Sequence, residues 1–514
     1  MQIVENKALL INAQDPCLIT DNIHKSAEVQ EGVLVRWGHN EAEILAQLGF
    51  HDTPSPMLRS YNWTGKFAPF KHQKTTASFL SLRRKAFCFN EQGTGKTASV
   101  IWAADYLMKK GLVKRVLVLC PLSIMKSAWQ QDLFKFAMHR SCSVAYGAAK
   151  QREKIIAAGA EFVILNFDGV GVVKDAIANG GFDLIVVDEA NAYKNPTTNR
   201  WKILNRIVRD TDPRLWMLTG TPAAQSPLDA YGLARMMDLP GCPKYYGVFR
   251  DTVMRKVSHF RWAPKDNAQE VVHKVLQPAI RFEKKDCLDL PTVTHIEREA
   301  PLTPQQKKYY TQLKSQMLFE ASGEEVSAVN AATKLNKLLQ ISGGAVYTDA
   351  GEILEFDVSN RLNVVLEVIE EASHKVLVFV PFTHTIELLR TKMEKEGISC
   401  DVINGKVPVN QRTEIVNRFQ SSPDPRVLLI QPKAASHGLT LTAADTIIWY
   451  APTTSVETYL QANARIDRAG QKNTMTIVHI KGSPVEERLY SMLQGNINNH
   501  QKIIDLYRQE LDTV

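Results

Sequence analysis

Residues Asn90 to Thr97 read NEQGTGKT, set between the apolar run AFCF (Ala86 to Phe89) and the apolar-rich ASVIWAADYLM (Ala98 to Met108). A loop that holds a triphosphate needs glycines, so that successive backbone N–H groups can close around the oxygens. It then needs a lysine for the terminal phosphates and a hydroxyl for magnesium. Gly93, Gly95, Lys96 and Thr97 supply those parts, and Gln92 and Thr94 complete the cradle. Asn90 stands where the pattern usually has its first glycine, so the surroundings must decide. A short buried-type strand enters the loop and a helical pattern leaves it, which sets a helix N-terminus and its positive dipole end against the anion. Taken alone, the stretch also reads as a glycine turn joining a strand to a helix.

The chain has 514 residues, too many for one ordinary core, so about two to four domains are expected. Hydrophobic residues at 44% and charged residues at 23% are the composition of a soluble globular protein rather than a disordered one. With no long apolar run and no basic-then-apolar leader, neither a membrane span nor a secretory signal is expected. The predicted location is the cytoplasm, in the nucleoid or in a host cell. Seven cysteines are scattered and never form C-x-x-C, which points to small buried hydrophobes in a reducing compartment. The net charge of +8 is compatible with a polyanionic partner without establishing one.

Along the chain, residues 1–60 carry short alternating runs (ALLIN, VLVRW) and a helix-like EAEILAQLGF, the marks of a small α+β accessory domain. The pattern then changes to buried strands between helices: RVLVLC, EFVILN, DLIVVDE and RLWMLT. Such β-branched runs alternating with helical stretches predict a parallel sheet covered on both faces. A largely helical, charged interval follows, with protrusions around YYGVFRDTVMRKVSHF and LTPQQKKYYTQLKSQMLF. Strands return in KVLVFV, CDVIN, RVLLIQ, TIIWYA and TIVHI, a second α/β domain without a phosphate loop. The expected boundaries are 61–293 for the first lobe, 294–491 for the second and 492–514 for a terminal helix.

DEANAYKN begins at Asp188, at the end of the strand LIVVD, where an acidic side chain faces the phosphates. Asp188 is suited to magnesium, and Glu189 to orienting and polarising the attacking water. In the second domain, QANARIDRAGQKN places Gln461, Arg465 and Arg468 on a helix followed by a turn, with the arginines three apart on one face. Arginines brought from a separate lobe make hydrolysis depend on closure, because they meet the charge that develops on the transferred group.

The order and wording of these segments resemble the superfamily-two helicases, and within them the Snf-type double-stranded DNA translocases. FAPFKHQ, ending in Gln73, resembles the adenine-recognition segment, NEQGTGKT motif one, RVLVLCPLSIMKSAWQQDL motif Ia, DEANAYKN motif two and LTGTPAAQSPLDAYGLARMM motif three. KVLVFVPFTHT resembles motif four, RVLLIQPKAASHGLTLTAADTIIWY motif five, QANARIDRAGQKN motif six and LPTVTHIEREAPLTPQQKKYY the lobe junction. The resemblance covers about residues 62 to 490. It implies two tandem RecA-like parallel-sheet lobes with helical protrusions. It further implies adenine contact at Gln73, triphosphate at Gly93 to Lys96, Mg2+ at Thr97 and Asp188, water activation at Glu189, and trans-lobe arginines at Arg465 and Arg468 beside Gln461. Thr219 and Thr221 would link nucleotide state to lobe position.

The family's DNA-contacting loops fall here around Pro121 to Lys126, including Ser123, and around Asn166, Thr219, Thr383, Lys433 and Ser436 to Thr440, including Gly438. Trp129 is expected in the core. Two departures stand out: Asn191 replaces the histidine usual in motif two, and the motif five loop reads SHGLTL where a glycine-richer form is usual. The resemblance therefore implies an ATP-dependent motor on double-stranded or branched DNA, monomeric, with a possible protein partner through residues 1–60. Branch migration or annealing at forks, the motor of a defence complex, and a nucleotide-gated DNA scaffold with little turnover remain alternatives.

Overall fold

The computed structural model describes residues 1–495 except 66, 221, 224–225, 239–240, 258–261, 288–289, 322–327, 348–352, 436–438 and 469. The chain forms two compact units, one made of Met1–Ala223 and Pro227–Cys287 and the other of Ser226 and the described residues within 290–495.

The first unit begins with four antiparallel strands, β1 (Gln2–Val4), β2 (Ala8–Ile11), β3 (Ser26–Val29) and β4 (Gly32–Arg36), ordered β1-β2-β4-β3. Period-two alternation puts Leu9, Ile11, Val33 and Val35 on one face, where they pack with Ile19, Ile23 and Leu45 from flanking helices. Residues 1–60 are tied to the rest of the unit by polar contacts, Arg214 to Glu43 at 3.0 Å and Arg83 to the His51 carbonyl at 2.9 Å.

Seven parallel strands follow: β5 (Lys85–Cys88), β6 (Val116–Cys120), β7 (Cys142–Val144), β8 (Phe162–Asn166), β9 (Leu184–Asp188), β10 (Arg214–Leu218) and β13 (Ala279–Ile280). Their order is β13-β5-β10-β9-β6-β8-β7, and β11 (Met254–Lys256) and β12 (Trp262–Pro264) form a separate hairpin. Every residue of β6, β8, β9 and β10 is buried, because helices cover both faces and the strands need no polar side. Two apolar clusters result, one on each face of the sheet.

The second unit has its own six-stranded parallel sheet from β14 (Val293–Glu299), β17 (Lys375–Phe379), β18 (Cys400–Ile403), β19 (Val427–Ile430), β20 (Ala444–Trp449) and β21 (Met475–Lys481), with β15 (Ala345–Tyr347) and β16 (Ile353–Glu355) as a small hairpin. The order is β14-β21-β20-β17-β19-β18. These are the two RecA-like lobes and the small α+β domain that the sequence predicts. The charged interval between the lobes is less helical than its composition suggests. It contributes β14 to the second sheet, a strand whose residues VTHIERE are exposed or, at Val293, Ile296 and Arg298, half-buried. Among the described residues no helix is long and apolar enough to cross a membrane.

Candidate functional site

The registers of the first sheet gather the expected motifs at one edge. Leu218 of β10 is level with Cys88 of β5 on one side and with Asp188 of β9 on the other. Adjacent strands lie about 4.8 Å apart, so the loop leaving β5 and the acid ending β9 are roughly 10 Å apart across β10. That is the carboxyl edge of a parallel sheet, where such folds bind ligands.

The loop itself is shaped by two glycines with left-handed backbone, Gly93 at φ +84° and Gly95 at φ +81°. Gly95 also lies against Gln73: an added Cβ would meet the Gln73 amide nitrogen at 2.2 Å. The helix Lys96–Lys109 starts immediately after it. Gln73 is buried, donates to the Thr94 carbonyl at 3.1 Å and accepts from the Phe70 N–H at 3.0 Å. His72 donates from Nε2 to the same Thr94 carbonyl at 2.8 Å. Lys96 folds back over the loop, its ammonium 2.8 Å from the Asn90 carbonyl and 3.1 Å from the Glu91 carbonyl. Phosphate oxygens are stronger acceptors than these two carbonyls, since the hydrogen bonds to them are charge-assisted on both sides.

Asn90 explains its own departure from the pattern. It is 1% exposed, donates from its amide to Thr76 Oγ1 at 2.8 Å and accepts from the Phe282 N–H at 3.0 Å. Its backbone φ is not positive, so the position does not need glycine; the side chain instead ties the loop to the helix Lys71–Ser81 and to the segment after β13.

Asp188 is buried and held at both oxygens: Trp129 donates its indole N–H to Oδ2 at 2.9 Å, and the Glu189 N–H donates to Oδ1 at 3.0 Å. Burial pushes its carboxyl up, opposed by the Trp129 hydrogen bond, the Lys96 charge and the Glu189 N–H. Glu189 has left-handed backbone, φ 54° and ψ 55°. A non-glycine residue held there costs about 1–3 kcal/mol and recurs at active sites. Asn191 follows in a 3-10 turn, Ala190–Tyr193.

The expected nucleic-acid residues divide by exposure. Lys126, on the π-helical turn Met125–Gln130, is exposed, and Ser123 before it is half-buried. Asn166 is buried at the end of β8, its Oδ1 accepting from Arg152 at 2.8 Å. Thr219 is fully buried, with its N–H on the Cys88 carbonyl at 3.1 Å. In the second unit Thr383 opens the helix Thr383–Lys395 half-buried, and Lys433 is exposed on the short helix Pro432–Ala435. Ser436 and Gly438 lie outside the described residues, as does Thr221.

In the second unit the helix Val456–Asn463 carries Gln461 but ends before the two arginines, which sit in the turns that follow rather than on the helical face predicted. Gln461 is buried and donates to Glu457 at 3.2 Å. Arg465 is 5% exposed, with Nε on the Gln461 carbonyl at 2.8 Å and a terminal nitrogen 3.3 Å from the Leu439 carbonyl. Arg468 donates to that same Leu439 carbonyl and to Thr440 Oγ1, both at 2.9 Å. Motif six is thereby fastened to the motif five loop.

A match to the SNF2-related domain spans residues 72–343, more than half of the chain, and a match to the helicase conserved C-terminal domain spans 360–470. The chain belongs to the SNF2-related family. Among curated relatives, chromodomain-helicase-DNA-binding protein 1-like of Mus musculus is 26% identical over 81% of this chain and 47% of its own length. The uncharacterized ATP-dependent helicase MG018 of Mycoplasma genitalium is 26% identical over 78% of this chain and 38% of its own. This SNF2-related chain thus spans less than half the length of those two. Putative protein p41 of Acyrthosiphon pisum secondary endosymbiont phage 1 is 23% identical over 86% of this chain and 98% of its own. The Sulfolobus solfataricus SWI2/SNF2 ATPase core in complex with dsDNA aligns with 87% of this chain and 95% of that one, at 22% identity and a TM-score of 0.42.

The SNF2-related motifs also fit a magnesium ion by their donor chemistry. Among the described residues no three His, Cys, Asp or Glu side chains cluster as metal ligands. Mg2+ is held through one or two carboxylates with substrate phosphates, which asks only for Asp188, Thr97 and the nucleotide. Trp129 was legible as core and is fully buried. Its contact with Asp188 was not, since nothing in the spacing of SIMKSAWQQ marks an indole aimed across to another strand.

Proposed function

We propose that this SNF2-related chain is an ATP-hydrolysing motor that moves along double-stranded DNA. The observation that carries the reading is the meeting of the Gly93–Lys96 loop, Asp188 and the strained Glu189 at one edge of the first sheet. Gln73 would receive the adenine, and the loop amides and Lys96 the phosphates. Thr97 and Asp188 would hold Mg2+, which offsets negative charge on the phosphate oxygens when bound. Glu189 orients a water and polarises it for in-line attack, while Arg465 and Arg468 of the second unit meet the charge on the transferred group. Binding closes the lobes and hydrolysis releases them, so each cycle moves one lobe's hold on the DNA backbone.

Residues 1–60 carry eight Asp and Glu against four Lys and Arg. Such a surface repels phosphate, which favours a protein partner for this domain rather than DNA.

Steady-state ATPase activity without nucleic acid, then with duplex DNA, single strands, RNA and branched junctions, tests the reading, with Lys96→Ala as control. Stimulation by duplex is the expected result. Junction-selective stimulation would favour branch migration, and absence of turnover under every condition would favour a scaffold.

A further inference from the structure

Most polar side chains of the Asn90–Thr97 loop are held within the first unit. Asn90 bonds Thr76 and the Phe282 N–H, and the Glu91 carboxylate accepts from the Lys284 N–H at 2.9 Å. Thr94 Oγ1 donates to the Glu91 carbonyl at 2.8 Å, and Lys96 covers the Asn90 and Glu91 carbonyls. Gln92 differs. Both of its amide atoms are shut off from solvent, and among the described residues neither meets a hydrogen-bond partner. An amide buried in this way gives up its bonds to water and recovers none from the fold. Such groups are rare in native proteins, and a role toward a ligand is one specific cause of them.

The placement of the side chain says which ligand group it meets. Gln92 lies along Gly220, just beyond β10: a Cβ added to Gly220 would stand 3.3 Å from Gln92 Cγ and 3.5 Å from the Gln92 backbone nitrogen. In the sheet β10 separates β5 from β9, so Gln92 leaves the loop on the flank that leads to Asp188 and Glu189. Gln73, expected to take the adenine, packs instead on Gly95 at the start of the helix Lys96–Lys109. The two glutamines thus meet the loop at different points, and the one on the side of the acids is placed for the far end of the triphosphate.

An ionised phosphoryl oxygen only accepts, so it takes the amide N–H. The amide oxygen is left for a donor, and a water beside the phosphoryl group is one. We propose that the Gln92 side chain recognises the terminal phosphoryl group of the nucleotide, so that the loop distinguishes a triphosphate from a diphosphate. The inference rests on the reading that this loop binds ATP.

Calorimetric titration of the full chain in Mg2+ with ADP, and separately with the imido analogue of ATP, tests it, with Lys96→Ala as control. Gln92→Met keeps an unbranched chain and removes both amide atoms. It is expected to lose about tenfold or more in affinity for the analogue, the effect of deleting a hydrogen bond to a charged group, while ADP stays within about twofold of wild type. Gln92→Glu sets a like charge against the phosphate and is expected to lose more on the analogue than Gln92→Met does. Without nucleotide, the melting temperature of Gln92→Met is expected to equal or exceed that of wild type, because two unpaired buried atoms are removed and no internal hydrogen bond is lost. Equal losses on ADP and on the analogue would overturn the assignment to the terminal phosphate. A melting temperature clearly below that of wild type would overturn it by showing that the amide serves the fold. Variants that bind both nucleotides as wild type does would overturn it while leaving the motor reading intact, whereas a wild-type chain that binds neither nucleotide would remove both.

Discussion

Trp129 donates its indole N–H to Asp188 Oδ2 across 2.9 Å, so the turn that carries exposed Lys126 also sets the orientation of the acid expected to hold magnesium. Partners of this kind, one step removed from the reacting atoms, typically change activity about 10 to 100-fold when removed. Trp129→Phe keeps most of the ring but leaves Oδ2 without its donor. ATPase kcat is expected to fall about tenfold or more with a smaller change in KM, and the stimulation by duplex DNA to shrink with it. Steady-state kinetics with and without duplex check this; an unchanged kcat would show that the indole only fills space.

Asn90→Gly restores the family's usual glycine and should nonetheless weaken the protein. The amide side chain satisfies Thr76 Oγ1 and the Phe282 N–H in a site 1% exposed to solvent. Removing it leaves the Phe282 N–H without its acceptor, at a cost of about 1–3 kcal/mol, and leaves Thr76 Oγ1 with only its bond to the His72 carbonyl. A lowered denaturation midpoint together with a raised KM for ATP is expected, by chemical denaturation and steady-state assay. Gly95→Ala should act differently: it forces a side chain into left-handed backbone and against Gln73, so nucleotide affinity falls before stability does.

Asn90 also marks where sequence reading reaches its limit. Strands β6, β8, β9 and β10 were legible because full burial leaves unbroken apolar runs, and the turn after β5 was legible because Gly93 and Gly95 take left-handed backbone. The edge strands were not. β7 and β13 are three and two residues long and half-buried, and β14 wears a charged sequence because one side of it meets solvent. The arginines of motif six were predicted on a helical face, but the helix stops at Asn463, and both guanidinium groups hold the Leu439 carbonyl instead. Contacts such as these, between segments distant in the chain, leave no local period to read.

Those two arginines should separate in experiment. Arg465 is buried, and its removal empties a buried site and leaves the Gln461 carbonyl without its charged donor, although Leu439 keeps Arg468. Arg465→Ala should therefore lower the melting temperature as well as activity. Arg468 is less buried, and Leu439 keeps Arg465 as a donor when it is lost. Arg468→Ala should leave the melting temperature nearly unchanged and ATP binding intact while reducing kcat by about a thousandfold, the effect typical of losing an arginine that serves the transferred phosphoryl group. Calorimetry, nucleotide titration and turnover measured on the same two proteins give the answer; a large drop in melting temperature for Arg468→Ala alone would reverse the assignment.

A pH dependence of stability in the first unit is expected from Asp105, whose side chain is fully buried on the helix Lys96–Lys109. Burial alone would push this carboxyl up. Tyr61 at 2.7 Å, Arg140 at 2.7 Å, Lys109 at 3.0 Å and His139 at 2.8 Å outweigh it and hold the group at about 2, below its ordinary 3.8. A group depressed in the folded state stabilises fully above its unfolded value and loses that contribution as pH falls through the folded one. The stabilisation, on the order of 2 kcal/mol, is thus present above about pH 5 and lost progressively toward pH 2. Asp105→Asn should be less stable than wild type at neutral pH, and the gap in denaturant midpoint should narrow across that window. A gap that stays constant from neutral pH down to pH 2 would mean that the four partners hold Asp105 by packing rather than by its charge.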